Sequence, residues 1–393
     1  EAVATSGKPT VVVARTVKGK GVAAVENENG WHGKPLENPE AAIEELGGER
    51  NIRVEVRTPH PVETSRAARA GALELPRYEL GSEVATRKAY GDALAALGAA
   101  RGDVVALDGE VSNSTFAEIF AKAHPERYFE MYIAEQQMIA AAIGTQVRGW
   151  VPFASTFAAF VTRGYDFIRM AAVSRARINL CGSHAGVSIG EDGPSQMGLE
   201  DLAALRAVHG STVLYPCDGN QCAQLVAAMA DLPGIAYLRT TRGATRVIYG
   251  PDERFEPGGS RVVRQSDRDQ ATIVAAGITV HEALAAAEVL AGEGVSVRVL
   301  DAYSVKPIDG AGLRAAADAT AGRLVTVEDH WVEGGLGDAV LAAFAGDPNP
   351  PTVVKLAVRE LPTSGKPAEL LAAAGIDRAA ICTAVRELVR SQP

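Results

Sequence analysis

A chain of 393 residues, 47% hydrophobic and 22% charged, has the makeup of a globular protein that can bury sizeable cores, and its length allows roughly two or three domains. A net charge of −9 without any basic run excludes the usual electrostatic nucleic-acid binder. No apolar run reaches the ~18 residues of a membrane span, because Arg148 and Arg163 interrupt the longest candidates. Four irregularly spaced cysteines (Cys181, Cys217, Cys222 and Cys382) exclude a disulfide scaffold and suit a reducing, cytoplasmic setting. The opening residues lack the basic start and apolar core of a signal peptide, and Glu1 in place of a methionine points to a beginning elsewhere.

In chain order, β-branched residues predict a strand over 9–17, followed by the turn Lys18-Gly19-Lys20-Gly21 and the stretch NGWHGKPL at 29–36. A lone strand cannot bury itself, so residues 1–36 read as the remnant of a further domain. Residues 37–80 are charged, proline-bearing and weakly periodic, a linker with one short helix. From 81 to 242 helices and strands alternate: helix 83–99, strand 104–107, helix 115–123, strand 128–133, helix 134–147, strand 151–156, helix 157–171, strand 178–183, helix 200–208, strand 212–216, helix 219–231 and strand 235–240. A loop-rich connection spans 243–268. Alternation resumes over 269–393, with strands near 271, 295, 323 and 352 and helices between and after them. Such alternation predicts an α/β fold of two doubly wound, mostly parallel sheets. Gly334-Gly335-Leu336-Gly337, between a strand and a helix, reads as close packing rather than phosphate binding.

The stretch 181–202, CGSHAGVSIGEDGPSQMGLEDL, follows an apolar strand and sets His184, Glu191, Asp192, Ser195 and Gln196 among glycines that include Gly182, Gly186, Gly190 and Gly193. A long, polar, glycine-bearing loop of this kind is placed to meet a ligand.

Six motifs, ATRKAYGDAL (85–94), NSTFAEIF (113–120), IAEQQM (133–138), PFASTFAAF (152–160), GSHAGVSIGEDGPSQ (182–196) and TVEDHWVEGGLG (326–337), together resemble transketolases of the branch close to the mammalian enzymes. The resemblance runs in order over nearly the whole chain. It makes 81–242 a pyrimidine-binding domain, 269–393 a C-terminal domain, and WHGKPL (31–36) the end of the diphosphate-binding domain.

The resemblance implies transfer of a two-carbon ketol unit from a ketose phosphate to an aldose phosphate, a reaction of the pentose phosphate pathway. It implies thiamine diphosphate and Mg2+ as cofactors and a homodimer as the assembly. Glu135 matches the catalytic glutamate that hydrogen-bonds the aminopyrimidine ring, and a carboxylate among Ile133, Met138 and Ile139 suits proton sharing. Phe160 matches the residue that stacks on that ring, and Phe157 lines the same pocket; three residues apart, the two share a face of the predicted helix. Lys18 and His32 face the cofactor, with His32 also at the reacting centre. Arg87, Ser114, His184 and Arg242 match the clamp on the substrate phosphate, where forked guanidiniums suit a dianion. Asp192 reads a sugar hydroxyl. Gln196 stands where many relatives carry histidine and is assigned binding, since an amide cannot shuttle protons near neutral pH. Glu110 stands where the family tends to have a shorter acid.

The family's Gly-Asp-Gly stretch with its asparagine, which holds magnesium and the diphosphate, has no counterpart; Asp108-Gly109-Glu110 lacks the preceding glycine and the asparagine. No metal ligand is therefore assigned within the chain. The magnesium ligands are expected in an N-terminal region that is cut away or encoded as a separate subunit, and the isolated chain is expected to be inactive. The alternatives are a non-catalytic or partner-dependent subunit that keeps the fold, and a relative of the 2-oxo-acid dehydrogenase β-subunits. Against the latter stands the phosphate clamp, since 2-oxo acids carry no distal phosphate. Deoxyxylulose-phosphate synthases share the layout but not the wording of SIGEDGPSQ and SGKPAELL.

Overall fold

The computed structural model describes residues 11–53 and 71–391. The chain divides into two compact units, Glu1–Thr64 and Ser65–Pro393.

In the first unit the helix Pro39–Glu45 starts at Asn38, whose side chain accepts the Ala41 N–H at 3.3 Å, and Pro39 supplies a helical φ at the first position. Ala42 packs with Val22 and Val25, flanked by Trp31 and Leu36. The strand expected over 9–17 does not form over residues 11–17, where Val11, Val12 and Val13 are exposed. Residues 9 and 10, like 54–70 of the expected linker, lie outside the described residues. β-Branched side chains hold a strand only when a neighbour takes up its N–H and C=O groups, and no described segment does so here.

The second unit carries two large sheets. In spatial order the seven-stranded sheet runs Ser304–Lys306, Thr212–Leu214, Ile235–Arg239, Ile178–Ser183, Val151–Phe157, Val104–Asp108 and Tyr128–Glu130, all parallel except the first. The five-stranded sheet runs Thr352–Val358, Arg323–Trp331, Ala271–Ala275, Val297–Asp301 and Arg261–Arg264, with the last antiparallel. The predicted doubly wound, mostly parallel α/β architecture is therefore present. Inner strands such as Val104–Asp108 and Ile178–Ser183 are buried throughout, as a sheet covered on both faces requires. The end of the expected linker is tied in as well: Tyr78 N–H donates to Asn220 Oδ1 (3.0 Å), its C=O accepts from Asn220 Nδ2 (2.9 Å), and its hydroxyl donates to Asp92 (2.8 Å).

Several local expectations change: the helix expected over 83–99 starts as the strand Glu83–Ala85, paired with Ala244–Arg246, and the connection 243–268 also holds the strand Arg261–Arg264. Phe157 is the last residue of its strand rather than the start of a helix, and the region after it breaks into Ala158–Val161, the 3-10 turn Thr162–Gly164 and Tyr165–Val173. The helix expected over 115–123 is split into Ser112–Thr115 and Ala117–Ala123 by Phe116, which sits at φ 63°. A further change is the strand Ser304–Lys306, which the alternation does not announce. Gly334-Gly335-Leu336-Gly337 packs as expected. The buried Glu328 carboxylate accepts the Leu336 and Gly337 N–H groups, and a Cβ at Gly335 would collide with it. The protein's own carboxylate thus fills the helix N-terminus that a phosphate would need.

Candidate active site

Parallel strands put their carboxyl ends at one edge of a sheet, and ligands of open α/β sheets meet the chain there. Registers such as Asp108↔Ser155, Asp108↔Glu130, Phe157↔Ser183 and Gly182↔Arg239 bring five strand ends to one level. Glu135, Ser114, Phe157, His184 and Arg242 all lie at or just beyond those ends.

Glu135 opens the helix Glu135–Val147 and is only 2% exposed. Arg163 Nη1 donates to its Oε1 at 2.6 Å. The apolar surround expected for this carboxylate is half realised: Met138 and Ile139 are buried, but Ile133 is exposed and a guanidinium stands at the carboxylate instead. The Arg163 guanidinium lies over the Phe160 ring, 4.0 Å from its centroid. Phe160 stacks on Phe157 (5.2 Å between centroids, 20° between planes), and Phe157 stacks on His184 (4.0 Å, 17°). Four planar groups therefore form one column that links the carboxylate to the polar loop. Phe157 is the N-cap of the short helix Ala158–Val161 that carries Phe160, so the two rings meet across its first turn.

His184 takes φ 56° at the end of its strand, is buried, and shares a hydrogen bond between Nδ1 and Ser183 Oγ at 2.9 Å. Burial, aided by the nearby charges of Arg87 and Arg242, pushes its pKa down to about 3. The imidazole offered to an anion is therefore neutral. Arg87 donates from Nε to Arg242 O (3.0 Å) and from Nη1 to Ser114 O (2.8 Å). Burial, with help from Arg242, lowers the Arg87 pKa from its ordinary value. Arg242 Nη1 donates to Ile189 O (2.8 Å) and Glu191 (3.2 Å), and its Nε lies 3.5 Å from Asp192 Oδ2. Arg87, Ser114, His184, Asp192 and Arg242 are thus brought together. Ser114 enters through its backbone carbonyl. Gln196 is half-buried further along the same loop, its N–H on Gly193 O at 3.1 Å.

Lys18 and His32 lie in the first unit, where Lys18 Nζ and His32 Nδ1 are 3.5 Å apart. Glu110 is exposed at φ 65°, and its N–H donates to Glu130 (2.9 Å). Asp108 accepts from Val111 N–H and Thr115 Oγ1, both at 2.7 Å, and burial pushes its pKa up to about 7. Among the described residues, no group of three His, Cys, Asp or Glu side chains could hold a metal ion. An aromatic cofactor ring fits against Phe160 and Glu135 only where the Arg163 guanidinium now lies, and the described residues supply no acid cluster for a diphosphate-bound metal.

Sequence reasoning missed Arg163, Arg239 and Asp329. Arg239 is fully buried; its Nε donates to Asp201 (2.8 Å), and its Nη2 donates to Gly198 O (2.7 Å) and Asp329 O (2.9 Å). An arginine inside the strand Ile235–Arg239, among apolar residues, was the available signal, because a buried charge must be paired.

Residues 82–247 match the family model described as "Transketolase, pyrimidine binding domain" and 260–381 that of "Transketolase, C-terminal domain". Human transketolase is 50% identical over 388 residues, covering 97% of this chain and 62% of that protein. The chain thus spans about three fifths of the length of the curated relatives it matches. Among solved structures, "Split gene transketolase, inactive beta4 tetramer" has a TM-score of 0.72 and 38% identity, covering 79% of this chain and 100% of that one. Transketolase from Leishmania mexicana follows at 0.70 and 25%, covering 81% and 47%. The chain belongs to the transketolase family.

Proposed function

We propose that this chain supplies the ring-binding half of a transketolase site, for the transfer of a two-carbon ketol unit between sugar phosphates. The observation that carries this reading is the column Arg163–Phe160–Phe157–His184, anchored at one end by buried Glu135 and flanked at the other by Arg87 and Arg242. Thiamine diphosphate supplies the reactive thiazolium carbon when it is bound. Glu135 would hold a proton against the aminopyrimidine nitrogen, with Phe160 stacking on the ring and Phe157 lining the pocket once Arg163 moves off Phe160 and Glu135. Arg87, Arg242, neutral His184 and the Ser114 region would fix the sugar phosphate. Asp192 and Gln196 would orient sugar hydroxyls, and Lys18 and His32 keep the cofactor roles that the family resemblance implies. A role in the pentose phosphate pathway and a cytoplasmic setting are part of the same proposal.

The diphosphate and Mg2+ would be held by a region outside the described residues, either another part of the same polypeptide or a separate subunit. A homodimer is favoured by the exposed Tyr132, Ile133 and Val147 around the helix Glu135–Val147, and by Met170 and Val173 on the helix Tyr165–Val173 that packs against it. A solved neighbour that is a split-gene, inactive tetramer supports the reading of a partner-dependent subunit. Titration calorimetry with thiamine diphosphate and Mg2+, together with a turnover assay on the isolated chain, tests the reading. Weak binding and no turnover are expected, with turnover appearing once a diphosphate-binding region is supplied. Turnover by the chain alone would overturn the division of labour. Continued inactivity with that region present would overturn the enzymatic reading.

A further inference from the structure

Beyond the groups that face a ligand, the loop carrying His184 is held from below by the second sheet. Asp329, near the end of the strand Arg323–Trp331, is fully buried, and its carboxylate accepts the N–H groups of Val187 (2.7 Å) and Ser188 (3.1 Å). These residues begin the 3-10 turn Val187–Asp192, and Arg242 meets that same turn at Ile189 O and at Asp192. The preceding Gly186 sits at φ 79°, and a Cβ there would collide with the Asp329 carboxylate. Gly186 N–H donates to Gly198 O (2.8 Å), which also accepts from Arg239, and Arg239 in turn binds Asp329 O (2.9 Å). Both ends of the loop thus return to one residue of the downstream sheet. Farther along the loop, Pro367 and Ser364 stand against Gly190 and Gly193.

A loop with glycines at 182, 186, 190 and 193 has wide backbone freedom when unrestrained. A buried carboxylate that accepts two adjacent N–H groups removes that freedom, because any other conformation leaves it unpaired out of water. We propose that Asp329 is a positioning residue for the anion clamp: it fixes the turn that presents Asp192 and Ile189 O to Arg242, so the C-terminal sheet sets the clamp's geometry without touching ligand. The proposal rests on the reading of this loop as the sugar-phosphate clamp.

The test is Asp329→Asn in the complete active enzyme that contains this chain. An amide keeps one acceptor oxygen but presents N–H against N–H at the second contact. Steady-state kinetics on a ketose phosphate and on the unphosphorylated ketose, with Arg242→Ala alongside, give the main readout. Expected is a rise of about tenfold or more in KM for the phosphorylated sugar, and a clearly smaller rise, through Asp192, for the unphosphorylated one. Faster amide exchange at Val187 and Ser188, with the strand Arg323–Trp331 still protected, should accompany it. Equal effects on both sugars, or none, while Arg242→Ala stays selective, would overturn the role of Asp329 alone. A non-selective Arg242→Ala would overturn the clamp reading and the proposal with it. Should Asp329→Asn not fold, Gly186→Ala disturbs the same contact from the loop side and is read in the same way.

Discussion

The imidazole of His184 lies flat on the ring of Phe157, with 4.0 Å between centroids and 17° between planes. One face of the imidazole is thereby closed to water, and two arginines stand nearby, so protonation is disfavoured twice over. With its pKa pushed down to about 3, the ring stays neutral throughout the physiological range. The KM for a sugar phosphate, followed from pH 5 to 8, should therefore show only the ligand's own ionisation near pH ~6. His184→Gln should weaken binding yet keep the shape of that profile. An inflection present in the parent enzyme and lost in the variant would contradict a neutral imidazole.

Removal of the carboxylate at the other end of the column should affect chemistry rather than folding. Glu135→Ala in the complete enzyme is expected to lower turnover by at least ~10²-fold, because it removes the carboxylate proposed to hold the proton at the cofactor ring. Circular dichroism and the melting curve should stay close to those of the parent. Near-normal turnover would remove Glu135 from the chemistry.

The clamp arginines differ in their surroundings, so their loss should differ in kind. Arg242 is part exposed, with Glu191 and Asp192 as neighbours, and Arg242→Ala should act mainly on the ligand. A lost charge-assisted contact is worth ~1.5–3 kcal/mol, roughly tenfold or more in KM for phosphorylated sugars only. Arg87 also ties Arg242 O to Ser114 O, so Arg87→Ala should add a loss of thermal stability. Competition kinetics with the two sugar types, beside melting curves, separate the effects; equal losses on both sugars would put the arginines outside the clamp.

Where the two sheets meet, Asp301 is fully buried, and its Oδ2 accepts from Gln221 (2.7 Å), Tyr249 (2.8 Å) and Cys217 (3.5 Å). Burial pushes its pKa up to about 7. The folded chain therefore keeps a proton that the unfolded chain releases from about pH 4 upward, and the associated stability declines as pH rises from there to about 7. Asp301→Asn should make the drop in unfolding free energy between pH 5 and 8 shallower by on the order of 1 kcal/mol or more. Denaturant titrations at the two pH values check this, and parallel slopes for parent and variant would count against it.

The alternation of apolar runs made both sheets legible, because a parallel strand and its covering helix each carry their own local period. Glu135 and His184 stand in short motifs at strand ends, whereas Arg242 lies outside all six motifs and is named by the family resemblance alone. Arg163 was not legible, since its meaning depends on a fold-back that sets it over Phe160 and beside a glutamate 28 positions earlier. Asp329 was equally silent: a carboxylate in a strand shows its partner only when the loop 142 residues earlier arrives above it. The strand Ser304–Lys306 is three residues long, ends before Pro307 and has no period to read. The run at 11–17 shows the reverse error, a strong local preference with no described partner to fulfil it.

That short strand has a consequence for any attempt to divide the molecule. Ser304 pairs with Leu214 and Lys306 with Val213, so a piece of the downstream half completes the edge of the upstream sheet. Lys306 Nζ reaches Arg206 O (2.9 Å) and Ser211 Oγ (2.9 Å), and Tyr215 N–H donates to Tyr303 O (2.7 Å). The two family segments, separable along the chain between 247 and 260, are interlocked in space. A gene cut at that junction would leave Thr212–Leu214 as an open edge able to recruit a strand from another copy. The halves are therefore expected to be inherited, expressed and melted as one piece, whatever becomes of the region that binds the diphosphate.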